Sequence, residues 1–156
     1  MLRILFVCTG NTCRSPMAEA LLCEKVRQAG LNDKVSVLSA GIMAGYEYPA
    51  SKFACAVMQA RHISLGEHRS RQLTADAIAA ADLILTMALS HKRAVLALAP
   101  EAADKVFTLC EFAGAAGDVD DPYGGSYETY DSAAAEIDSL LGQAWKKIVA
   151  LAGKEY

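Results

Sequence analysis

Short runs of consecutive apolar residues alternate along this chain with longer stretches whose apolar positions recur every three or four residues. The first run is Leu2-Arg3-Ile4-Leu5-Phe6-Val7. A strand that is apolar at successive positions is one buried on both faces. Residues 35–38, Leu83 to Met87 and Val106 to Leu109 repeat the signature and predict three more strands. Between them the helical period returns. One helix carries Pro16 in its first turn, where a missing N–H is no loss, and runs to about Ala29. Ala18, Leu22, Val26 and Ala29 share its apolar stripe, Leu21 lies beside it, and Gly30 suits the position just past its end. Further helices are predicted over residues 50–60, 75–81 and 89–98. A long closing helix from about 128 to 151 has Ile137, Leu140, Leu141, Ala144 and Ile148 on its apolar side. Ser39-Ala40-Gly41 ends the second strand, and residues 110–127 read as a loop rich in Gly and Asp.

Strands alternating with helices predict an α/β domain with a parallel sheet. In such sheets the carboxyl ends of the strands line one edge, and ligands bind there. The polar segments after residue 7 and after residue 109 both leave predicted strand ends, so the fold is expected to bring them to one site.

Composition narrows the function classes. A chain of 156 residues suits a single domain, 1–156. With 53% hydrophobic and 21% charged residues it is not a disordered chain. A net charge of −3 argues against a nucleic-acid partner, though not against a small anion site. The N-terminal apolar run is too short for a signal peptide, and no run approaches the roughly 18 residues of a membrane helix. A cytoplasmic protein with no membrane partner is therefore expected. There the five cysteines should be mostly reduced, and an odd number argues against a complete disulfide framework.

The chemistry sits at the first strand-to-helix turn, Cys8-Thr9-Gly10-Asn11-Thr12-Cys13-Arg14-Ser15-Pro16. A loop this short can curl so that several backbone N–H groups point inward. Gly10 permits the conformations needed and Asn11 tolerates left-handed ones. The following helix adds its positive end, and the whole forms a cradle for a tetrahedral oxyanion. Arg14 supplies a planar fork for two anion oxygens. Cys8 at the base of that cradle is expected to have a lowered pKa and to be thiolate at neutral pH. Ser15 is placed to donate to its sulfur. No Gly-Lys-Ser/Thr follows, so this is not a nucleotide phosphate loop.

A thiolate attacking phosphorus needs a proton donor for the leaving group. The candidate is Asp121 in Gly117-Asp118-Val119-Asp120-Asp121-Pro122-Tyr123-Gly124-Gly125, where Pro122 restricts Asp121 to an extended backbone. The alternative is that these aspartates only form turns.

Cys8 to Pro16 together with Asp121-Pro122-Tyr123 resembles the low-molecular-weight protein phosphatases. The resemblance runs along essentially the whole chain, through Ser39-Ala40-Gly41, His68-Arg69-Ser70-Arg71-Gln72, Asp82-Leu83-Ile84-Leu85 and the closing helix. It implies a four-stranded parallel sheet with helices on both faces and a phosphatase without cofactor or metal. It implies that Cys8 takes the phosphoryl group as a cysteinyl-phosphate, that Arg14 clamps the transition state, and that Asp121 is general acid and then general base. Thr9, Gly10, Asn11, Thr12, Cys13 and Ser15 would bind phosphate, with Ser15 bonded to the thiolate. Asn11, Ser39 and His68 would hold the loop in shape, and Tyr123 would wall the substrate slot. Phosphorylated proteins are the implied partners.

Thr12 resembles the bacterial protein-arginine phosphatases of this family, whereas many tyrosine-directed members carry a bulky aliphatic residue there. A hydroxyl with less bulk suits a polar, planar guanidinium, so phosphoarginine is placed ahead of phosphotyrosine. Asp118 is either a partner for that guanidinium or a turn residue. Cys13 is either a buried thiol or, as the resemblance implies, the partner of Cys8 in a protective disulfide. Zinc is not expected, because Cys23, Cys55, Cys110, His62, His68 and His91 offer no second ligand pair at zinc spacing. An arsenate reductase of the same fold would need a cysteine between Leu83 and Pro100, and none is there. A phosphocarrier protein would have no use for Asp121.

Overall fold

A computed structural model describes residues 1–154. Its four strands, β1 (Leu2–Cys8), β2 (Val35–Gly41), β3 (Leu83–Thr86) and β4 (Val106–Thr108), form one sheet in the order β2-β1-β3-β4. Every pairing is parallel: Leu2 to Cys8 lie opposite Val35 to Gly41, Ile4 opposite Leu83, and Ile84 opposite Val106. The helices are α1 (Arg14–Gln28), α2 (Lys52–Gln59), α3 (Ala75–Ala80), α4 (Leu89–Leu98), α5 (Leu109–Ala113) and α6 (Tyr127–Ala152).

The continuous apolar strands follow from two cores. Ile4, Phe6 and Cys8 of β1 enter one, with Met17 and Leu22 of α1, Val57 and Met58 of α2, and Ile137, Leu141 and Ile148 of α6. Leu5 and Val7 enter the other, with Ile78 of α3 and Val95 of α4. Successive residues of a strand point to opposite faces, so a strand covered on both sides is apolar throughout. Burying a Leu, Ile or Phe side chain fully stabilises the fold by about 1.5–3 kcal/mol. The helices thus lie on both faces, as the family resemblance implies.

Helix α1 starts at Arg14, which places Pro16 in its first turn as expected. Two boundaries differ from the sequence reading. Strand β2 runs past residue 38, through Ser39 and Ala40, and ends at Gly41. The segment after residue 109 is not all loop, because α5 begins at Leu109. Thr108 Oγ1 accepts from the Glu111 N–H at 3.0 Å, and Glu111 Oε1 accepts from the Thr108 N–H at 2.8 Å. This reciprocal cap starts a helix where β-branched Thr108 and apolar Leu109 look like more strand.

The Gly- and Asp-rich loop therefore leaves α5, not a strand end. It reaches the sheet edge by other bonds. The Val119 N–H donates to the Met87 carbonyl at 2.9 Å, and the Leu89 N–H donates to Asp118 Oδ1 at 2.9 Å. Both tie it to the carboxyl end of β3. At the end of β2, Gly41 passes directly beneath the loop that follows β1. A Cβ there would lie 2.5 Å from the Thr9 carbonyl oxygen, so only glycine fits.

Candidate active site

Residues 9–13 curl between β1 and α1, and Asn11 is the pivot. It is fully buried with φ of +56°, a left-handed conformation that asparagine accepts more readily than most residues. Its Nδ2 donates to Ser15 Oγ at 2.8 Å and to Ser39 Oγ at 2.9 Å. Its Oδ1 accepts from the Arg71 N–H at 2.9 Å. His68 Nε2 lies 2.7 Å from the Asn11 carbonyl oxygen. A carbonyl only accepts, so that nitrogen carries the proton. Asn11, Ser15, Ser39 and His68 are thereby joined in one network.

Ser15 Oγ lies 2.8 Å from Cys8 Sγ. Because this oxygen already accepts from Asn11, its own hydrogen is free for the sulfur. Cys8 is only 3% exposed. Burial pushes its thiol above the ordinary value, outweighing the Ser15 hydroxyl, the Ser15 and Asn11 N–H groups and the Arg14 charge, which all pull it down. This corrects the reading of Cys8 as a thiolate at neutral pH. The sulfur is placed deeper than a positive loop at a helix start suggests, and desolvation wins.

Arg14 is also buried. Its Nη1 donates to the Val119 carbonyl at 2.9 Å, and its Nη2 lies 3.5 Å from Asp121 Oδ2. The arginine therefore fixes where the Asp-rich loop sits. Asp121 is about half exposed, and its Oδ1 accepts from the Tyr123 N–H at 3.1 Å. These bonds aim its carboxyl at the mouth of a cavity of about 250 Å³ lined by Cys8, Thr9, Gly10, Asn11, Thr12, Cys13, Arg14, Asp121 and Tyr123. Tyr123 stands exposed at the rim. Asp118 Oδ1 accepts from the Leu89 N–H at the start of α4, and Asp118 is not among the residues that line the cavity.

Cys13 is buried, with its sulfur 3.4 Å from Ser51 Oγ and 3.3 Å from the Tyr130 hydroxyl. All five cysteines are free thiols. Among the described residues no group of three or more His, Cys, Asp or Glu side chains is arranged to hold a metal ion, and no helix is long and apolar enough to cross a membrane.

The sequence reading did not foresee Val119, whose contribution is a backbone carbonyl, or His91, considered there only as a zinc ligand. His91 is 2% exposed, and its Nε2 lies 2.9 Å from Thr9 Oγ1. Burial first, and then the Arg14 charge, push it down to about 4, with Asp118 and Asp121 opposing. The folded state thus prefers the neutral ring. Its contribution is complete above the unfolded value near 6.5 and is lost as pH falls through 6.5 towards 4. Between neutral pH and pH 4 the loss is about 3 kcal/mol. Denaturant unfolding at both pH values should show H91L losing about that much less stability than the wild type. Equal losses would remove His91 as the source.

A family model described as low molecular weight phosphotyrosine protein phosphatase matches residues 3–152. The protein-arginine-phosphatase of Bacillus subtilis (strain 168) is 44% identical over 146 residues, 93% of this chain and 95% of the relative. The probable low molecular weight protein-tyrosine-phosphatase EpsP of Ralstonia solanacearum is 46% identical over 142 residues, 91% and 92% of the two chains. A solved mutant of the YwlE arginine phosphatase with a phosphorylated active-site serine superposes with a TM-score of 0.90 at 42% identity, covering 95% of this chain and 96% of that one.

Proposed function

The chain belongs to the low molecular weight phosphotyrosine protein phosphatase family, and from that premise we propose that it removes the phosphoryl group from phosphoarginine residues of proteins in preference to phosphotyrosine. It is a protein phosphatase that works through a cysteinyl-phosphate. The observation behind the arginine preference is Thr12 in the wall of the slot, in a chain 44% identical to a protein-arginine-phosphatase. A threonine hydroxyl offers polar contact to a guanidinium, whereas an aliphatic residue would pack against a phenol ring. The similarity to a probable tyrosine phosphatase at 46% identity keeps phosphotyrosine as the second reading. We place the reaction in the cytoplasm and assign residues 1–156 to one catalytic domain.

The geometry supports the following roles. The phosphoryl oxygens take backbone N–H groups of the loop after Cys8 and the fork of Arg14, which draws Arg14 from its ion pair with Asp121. Cys8 sulfur attacks phosphorus as the bond from phosphorus to the leaving nitrogen or oxygen breaks. The Cys8 thiol passes its proton to a phosphoryl oxygen as the sulfur attacks, and Asp121 delivers a proton to the departing group. Water then attacks the cysteinyl-phosphate, Asp121 takes a proton from it, and the departing sulfur takes its proton back from the phosphoryl group as inorganic phosphate leaves. Ser15 steadies the sulfur in both steps. Asn11, Ser39 and His68 keep the loop in its curled form, and Tyr123 flanks the entering side chain.

The test is one peptide carrying phosphoarginine and a matched one carrying phosphotyrosine. A single wall residue distinguishes substrates by roughly 1–3 kcal/mol. We expect kcat/KM to favour phosphoarginine by about tenfold or more. A preference for phosphotyrosine would keep the mechanism and discard the Thr12 argument.

A further inference from the structure

Thr9 follows Cys8 directly and lines the cavity, exposed to solvent. Its hydroxyl is held from beneath by His91, the third residue of α4, a side chain that the mechanism above leaves unused. Nε2 of His91 is 2.9 Å from Thr9 Oγ1. The other ring nitrogen, Nδ1, is buried and has no hydrogen-bond partner among the described residues. A neutral imidazole carries one N–H. Were it on Nδ1, a buried N–H would be left without an acceptor, a rarer state in proteins than an under-used lone pair. The hydrogen therefore sits on Nε2 and is donated to Thr9 Oγ1. Burial and the nearby Arg14 charge keep the ring neutral, so this donor pattern holds at ordinary pH.

With its oxygen accepting from His91, the Thr9 hydroxyl keeps its own hydrogen to donate on the cavity side. We propose that His91 is a positioning residue which makes Thr9 a hydrogen-bond donor to a phosphoryl oxygen of the substrate. The proposal rests on the phosphatase reading of the site. It also accounts for the orphaned Nδ1. A buried unsatisfied polar atom destabilises the fold, and a leucine would occupy similar space without it.

The experiment compares wild type, T9V, T9S, H91L, H91Q and the double variant T9V/H91L on an aryl phosphate, with melting temperatures measured alongside. T9V and H91L should each lower kcat/KM about five- to tenfold, and the double variant should fall no further than either single one. T9S should recover most of the loss, and so should H91Q, whose amide N–H replaces Nε2–H. The melting temperature of H91L at neutral pH should equal or exceed that of the wild type, which a purely structural histidine would not allow. Full activity of H91L, losses that multiply in the double variant, or H91Q as impaired as H91L would overturn the proposal. Should H91L fail to fold, Thr9 at the surface decides, and a fully active T9V overturns it. Absence of turnover by the wild-type chain would instead overturn the phosphatase reading, and this proposal with it.

Discussion

Replacing Cys8 with serine is expected to lower turnover by about 10⁴-fold or more while leaving the phosphate site intact. The serine oxygen would sit where the sulfur does, within reach of the Ser15 hydroxyl and of the Ser15 and Asn11 N–H groups. It is a far weaker nucleophile. Any phosphoryl group it accepted would leave poorly, because a serine alkoxide is a much worse leaving group than a thiolate. Steady-state turnover and inorganic phosphate inhibition, measured together, separate lost chemistry from lost binding. Substantial turnover by C8S would remove Cys8 from the reaction.

Asp121→Asn should cost about 10²- to 10⁴-fold for substrates with basic leaving groups and little for activated aryl phosphates. The asparagine keeps an oxygen to accept from the Tyr123 N–H, so the local turn persists. It loses the ion pair with Arg14 and the ability to carry a transferable proton. A guanidine leaves only with a proton, so a phosphoarginine peptide should suffer most. Rates measured across leaving groups of graded basicity would show this as a steeper dependence in D121N. An equal loss on all of them would take Asp121 out of the acid role.

What was legible in the chain was what lies contiguous in it. Strand β1, the loop from Thr9 to Cys13 and the start of α1 are one continuous segment, so the anion cradle can be read directly from residue types and spacing. The doubly covered sheet is equally plain, because Leu5 and Val7 face one core while Ile4 and Phe6 face the other. What was missed depends on tertiary approach. Helix α5 hides behind a strand-like Thr108-Leu109 pair, although the Thr-x-x-Glu spacing of its cap is present in the sequence. The docking of the Asp-rich loop uses backbone groups of Met87, Leu89 and Val119, which no side-chain motif reveals. The depth of Cys8 could not be read either, and that depth reverses the direction of its pKa shift. His91 lies 82 residues from Thr9 and meets it only through the sheet.

The central claim is that the phosphoryl group passes through Cys8. The most direct test is to mix D121N with a radiolabelled aryl phosphate, quench within one turnover, and locate the label by peptide mapping. The account predicts a phosphoryl group on the peptide carrying Cys8, formed at the rate of leaving-group release and decaying more slowly than it forms. Release of the leaving group with no label on that peptide would mean direct attack by water, and would contradict the mechanism proposed for this site.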